Sequence, residues 1–127
     1  MKREAKAVRA LFGELMRAPL LNFPQPRQKL DAPDRQGVYV ICGPRGRVLH
    51  VGSTPRARGG IAQRLRSHMA ANSSFVKGHL AGDGGALRNR HRFRCLVVEN
   101  PRQRALLEAY ATGRLCPAHL GLGSSAS

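Results

Sequence analysis

Five side chains stand out for the chemistry they could share: Tyr39, His50, Arg64, His68 and Glu108. A phenol and two imidazoles can take a proton from water, and a guanidinium is a fixed fork for phosphoryl oxygens, so the set points to phosphodiester hydrolysis. Arg64 and His68 are four residues apart and on a helix would share a neighbouring face. Tyr39 and His50 fall in two short β-branched runs that could present them to that helix face. Glu108 lies among Leu106, Leu107, Ala109 and Tyr110, where a carboxylate is costly unless paired or metal-bound.

The elements that must position these groups follow from local patterns. Residues 37–42 are apolar, Gly43-Pro44-Arg45-Gly46 is turn chemistry, and residues 47–53 form a second run, which together predict a β-hairpin. Gly52 sits where a side chain would block close approach, and Gly59-Gly60 loosens the loop before a helix over 61–71 with Ile61, Leu65 and Met69 inward. Residues 73–80 suit another helical turn, and 81–85 a flexible loop. Arg88, Arg90, Arg92 and Arg94 recur at period two against Phe93, Cys95 and Val97, predicting a third strand over 91–99 with one basic side. Asn100-Pro101-Arg102-Gln103 reads as an N-cap and first turn, opening a helix that Pro117 ends.

Upstream, Val8, Leu11, Phe12, Leu15 and Met16 give an amphipathic helix over 2–18. Pro19, Pro24, Pro26 and Pro33 make 19–36 an irregular connection into the sheet. The expected fold is therefore α+β: a small three-stranded, mainly antiparallel sheet flanked by helices. Residues 1–36 supply the helix and proline-rich linker, 37–120 the domain, and 121–127 a disordered tail.

With 127 residues the chain fits one domain, and a formal net charge of +15 favours a polyanionic partner. Cys42, Cys95 and Cys116 are odd in number and far apart, which suits neither a disulfide framework nor a zinc site and implies a reducing cytoplasm. Cys42 and Cys95 read as structural thiols. No apolar run approaches bilayer length, so no membrane partner is expected.

Strand, strand, helix, strand, helix with these polar groups resembles the GIY-YIG nuclease domain over residues 37–120. The family name reads here as Gly37-Val38-Tyr39 and His50-Val51-Gly52, with Val for Ile in the first triplet and His50 for the second tyrosine. Arg64-Leu65-Arg66-Ser67-His68 looks like the family's Arg and His four apart, and Leu107-Glu108-Ala109-Tyr110 like its glutamate helix. The family usually has an asparagine after that helix; Pro117-Ala118-His119-Leu120 puts Leu120 there, so another contact must brace the site.

The resemblance implies DNA cleavage on one divalent ion, Mg²⁺ or Mn²⁺, leaving a 5′-phosphate and a 3′-hydroxyl. Glu108 would be the metal ligand, since such an ion can be held by one carboxylate plus waters and substrate phosphate. Tyr39, acidified by nearby arginine, would be the general base, and Arg64 the phosphate clamp. His68 would bond the nucleophile or the phosphate, and His50 would replace the missing tyrosine with a group titrating near neutral pH. Arg56, Arg58, Arg66, Lys77, Arg88, Arg90 and Arg92 are the expected strand contacts to double-stranded or branched DNA, with RNA as the other nucleic acid. His91 and His119 carry no assigned role. The alternative is a catalytically lapsed domain of this type that binds nucleic acid.

Overall fold

The computed structural model describes residues 2–55 and 58–120. In chain order the elements are α1 (Lys2–Arg17), β1 (Leu21–Asn22), β2 (Gly37–Cys42), β3 (Val48–Ser53), α2 (Gly60–Met69), α3 (Ser74–His79), a 3₁₀ turn (Gly84–Arg88), β4 (Arg92–Val97) and α4 (Pro101–Leu115). The class is α+β as expected, but the described residues hold four strands, in the order β1-β4-β2-β3 and antiparallel at every pairing.

The additional strand lies in the stretch expected to be irregular. Its prolines begin in earnest only at Pro24, which leaves Leu21 free to pair opposite Phe93 while the Phe23 ring meets Phe93 edge-on at 5.0 Å. An aromatic contact between distant segments thus recruits two residues into the sheet.

β2 lies in the interior of the sheet and is buried along its whole length. Its alternating side chains feed two cores. Tyr39 and Ile41 pack with Ile61 and Leu65 of α2, Phe75 of α3 and Phe93 of β4. Val38 and Val40 pack on the opposite face with Leu15 of α1 and with Leu107 and Ala111 of α4. Helix α1 is thus built into the same core as the sheet.

The arginine ladder does not form as expected. Arg88 ends the 3₁₀ turn, which Leu87 anchors with a fully buried side chain, and donates from Nη1 to the Pro24 carbonyl. Arg90 sits in the left-handed region with φ 59°, so the chain turns before β4 begins. Only Arg92 and Arg94 lie on the strand, and Arg94 is turned to the Met16 carbonyl at the end of α1.

Helix ends are closed by the chain's own polar groups. Asn100 accepts the Gln103 N–H at 2.9 Å ahead of Pro101, as expected, and Cys116 ends α4 in a left-handed conformation. At α2 the N–H groups of Ile61 and Ala62 donate to the carbonyls of Arg35 and Pro33 at 2.9 and 3.0 Å. The proline-rich segment therefore caps the helix that carries Arg64 and His68. Gly60 is required at that seam: its φ is 51° and a Cβ would collide with the Arg35 backbone.

Arg104 is buried, and among the described residues no carboxylate stands within ion-pair distance of it. Its Nε donates to Thr54 O at 3.0 Å and its Nη1 to Val98 O and Glu99 O at 3.0 and 3.1 Å, joining α4 to the exits of β3 and β4. Arg104→Ala leaves three carbonyls without that donor and is expected to lower stability by on the order of 3 kcal/mol in urea unfolding. Arg104→Lys should recover only part of this, because an ammonium lacks the fork.

Candidate active site

Tyr39 and Gly52 are cross-strand partners in the hairpin, and the Tyr39 ring lies over Gly52 so closely that a Cβ there would overlap the phenol. The strand partner is glycine because the ring occupies the space of a side chain. From this position Tyr39 Oη reaches Nε2 of His68 at 2.7 Å, both groups being fully buried. Nδ1 of His68 lies 2.6 Å from Ser73 Oγ, which also accepts the Val76 N–H at 3.2 Å as the N-cap of α3. When Tyr39 donates to Nε2, Nδ1–H donates to Ser73, and phenol, imidazole and hydroxyl form one chain with every atom used.

Arg64, one turn before His68, is half-buried and close enough to Tyr39 to favour its phenolate. Its Nε is fully buried and has no hydrogen-bond partner among the described residues, and no carboxylate there stands within salt-bridge distance of it. Glu108 approaches from α4: Ser53, at the end of β3, donates its hydroxyl to Glu108 Oε1 at 2.6 Å. The carboxylate is half-buried and near enough to Tyr39 to oppose ionisation of the phenol.

His50 completes the group and is only 8 % exposed. Its ring stacks on Phe75 with centroids 4.8 Å apart and lies 5.2 Å from the ring of His68. Its Nδ1 lies 3.2 Å from Nδ1 of His119, a residue that sequence reasoning passed over. After α4 the chain returns along the outer edge of β3, where the N–H groups of Ala118 and His119 donate to Val48 O and Leu49 O at 3.2 and 2.9 Å. His119 thus meets the His50 imidazole, while Leu120, the next residue, is exposed. One of the paired imidazoles must carry Nδ1–H and the other a lone pair there, so the two tautomers are coupled.

Two expectations about ionisation are overturned. Burial pushes the Tyr39 phenol up to about 12, outweighing the pull of Arg64, so the expected acidification does not occur. Burial, reinforced by His68, His119 and Arg64, pushes His50 down to about 3, and burial with Arg64 and His119 does the same to His68. Neither imidazole is then charged near neutral pH, and His50 does not titrate where its residue type suggests. His119 is lowered as well, by burial and by the neighbouring His79. Cys42 and Cys95 have thiols raised by burial, Cys95 to about 11, in keeping with structural roles.

Of the expected strand contacts, Arg58, Arg66, Lys77 and Arg90 are exposed, Arg88 and Arg92 are half-buried, and Arg56 lies outside the described residues, as does 121–127. The nearby imidazole of His91 bonds Asn89 O at 2.8 Å, a local contact.

As a metal ligand Glu108 stands alone: no group of three or more His, Cys, Asp or Glu among the described residues could hold an ion. With Oε1 bonded to Ser53, the carboxylate suits a hard cation that keeps most of its shell as water and substrate oxygen. Sequence reasoning missed Ser53, Ser73 and His119. Ser73 had a signal, the N-cap position ahead of the 74–79 turn, whereas His119 had none. No helix of the described residues is long and apolar enough to cross a membrane. No protein family, curated protein or solved structure matches this chain.

Below pH 6.5 the unfolded chain protonates His50 and His68 while the folded chain refuses those protons until about pH 3. Stability is therefore expected to fall as pH drops from about 6.5 towards 3, with a slope of up to ~1.4 kcal/mol per pH unit for each histidine. Urea unfolding at stepped pH checks this, and His50→Gln should make the slope shallower.

Proposed function

We infer that this chain is a metal-dependent endonuclease of GIY-YIG type that hydrolyses DNA phosphodiester bonds to 5′-phosphate and 3′-hydroxyl ends. The observation that carries the reading is Arg64. A partly buried guanidinium with an orphaned Nε, beside a phenol–imidazole pair and across from a carboxylate, lacks an anion, and a scissile phosphate is an anion of matching shape.

A phosphodiester seated on Arg64 changes the electrostatics of its neighbours. Arg64 is one of the groups that keep His68 neutral, and a phosphate bound to it offsets that positive field. His68 then becomes a better proton acceptor at the moment one is needed. Tyr39 and His68 have no exposed surface in the free chain, so a water reaches the phenol only once the bound strand parts that layer. That water then attacks phosphorus and gives its proton to the phenol oxygen while the phenol passes its own to His68 Nε2. No free phenolate forms, which fits a phenol raised to about 12. Nδ1–H donates to Ser73 throughout and holds the ring in line. Arg64 meets the charge that develops on the phosphoryl oxygens. Glu108, oriented by Ser53, would hold the divalent ion, which when bound polarises the phosphate and stabilises the departing oxygen. His50, fixed by His119 and packed on Phe75, forms the wall behind His68.

The reading is tested with supercoiled plasmid and a branched DNA in Mg²⁺, Mn²⁺ or EDTA. Nicking should require the metal, and Glu108→Gln and Tyr39→Phe should each reduce it by at least about 10²-fold while DNA binding at low salt persists. If the unmutated chain binds DNA but no metal supports nicking, the chain is a nucleic-acid-binding module and the hydrolytic reading fails.

A further inference from the structure

Away from the Tyr39–His68 centre, the β1 edge of the sheet carries a concave site that the hydrolytic chemistry does not use. A cavity of about 690 Å³ opens beside β1, walled by the 22–28 segment and the 88–90 turn. Four carboxamide residues line it, Asn22, Gln25, Gln28 and Asn89, together with Arg88 and Arg90. It runs into a second groove of about 480 Å³ that shares Gln28 and Arg88 and adds Lys29 and Arg66. No carboxylate lines either one.

The walls are tied to each other. Gln25 donates its backbone N–H to Gln28 Oε1 and its side-chain Nε2 to Arg88 O, both at 3.0 Å, and Arg88 Nη1 donates to Pro24 O. Gln25 Oε1 and Gln28 Nε2 have no partner among the described residues. Arg27 and Arg90, with φ 74° and 59°, hold the two wall segments in turns that non-glycine residues rarely adopt. The result is a preformed hollow with amide donors and acceptors on its sides and cations at its rim.

We propose that this trough binds an unpaired nucleotide of the nucleic-acid strand on which the chain acts, an inference that rests on the proposed function for the identity of the ligand. The free Gln25 Oε1 and Gln28 Nε2, with the carboxamides of Asn22 and Asn89, supply acceptors and donors to a base edge, while arginine holds the flanking phosphates. A hollow of this volume takes a splayed-out base, which a stacked duplex does not offer. The Phe23 ring at its floor is only 2 % exposed, so the base is held by its edges and not by stacking. Helix α2 links the trough to the cleavage centre: Arg66 and Met69 line the groove, while Arg64 and His68 belong to the centre. From β1 to β2 and β3 the sheet is two to three strand spacings wide, about 10–14 Å. At ~3.4 Å per nucleotide in a B-form strand, the unpaired nucleotide would lie three or four positions from the scissile phosphate.

The test is fluorescence anisotropy at fixed salt in EDTA, comparing a blunt duplex with the same duplex carrying a short single-stranded overhang. The Gln28→Ala/Asn89→Ala double variant keeps the net charge, so affinity for blunt duplex should be unchanged and reports that the protein is folded. The unmutated chain and Glu108→Gln should favour the overhang by about fivefold or more, and the double variant should lose that preference. A preference retained in the double variant, or absent from the unmutated chain, overturns the proposal. Because no cleavage is read, loss of preference in the double variant would support the trough even if plasmid nicking failed, and nicking with no effect of the double variant would sink the trough alone.

Discussion

The hydrogen bond between Tyr39 and His68 is the contact around which the domain is arranged. It joins the middle of the sheet to α2 in a layer without exposed area, so each partner must arrive at a fixed height. Gly52 makes room for the phenol, Ser73 holds the far side of the imidazole, and the 33–35 segment caps α2 so that His68 emerges in register. A buried polar pair of this kind tolerates little displacement, because a phenol or imidazole left without its partner in an apolar layer costs about 1–3 kcal/mol.

The same burial decides the electrostatics. Arginine near Tyr39 suggests an acidified phenol, yet desolvation outweighs the Arg64 beside it and keeps the phenol protonated. The two inner histidines are kept neutral for the complementary reason. The resting centre therefore holds a chain of neutral groups between Arg64 and Glu108. The Arg64 guanidinium and the Glu108 carboxylate flank that chain without meeting, and among the described residues Arg64 Nε keeps an unused donor.

Much of this was legible in the residues. The hairpin, the i, i+4 pair on α2 and the Asn100 cap are local patterns with one reading, and each stands where spacing put it. What was not legible depends on distant partners. β1 exists because Phe23 meets Phe93, and the arginine ladder breaks because Leu87 is drawn into the core; neither burial is visible in a period of two. His119 pairs with His50 across 69 residues of sequence and lies on no periodic face. The direction of the Tyr39 shift was misjudged because sequence displays charges but not the depth at which they act.

The most direct measurement is a structure of the Glu108→Gln protein bound to a short DNA carrying an overhang. The account predicts a backbone phosphate within hydrogen-bonding distance of the Arg64 guanidinium, with its neighbouring oxygen facing the Tyr39 hydroxyl. DNA bound to the basic surface with no phosphate at Arg64 would contradict it.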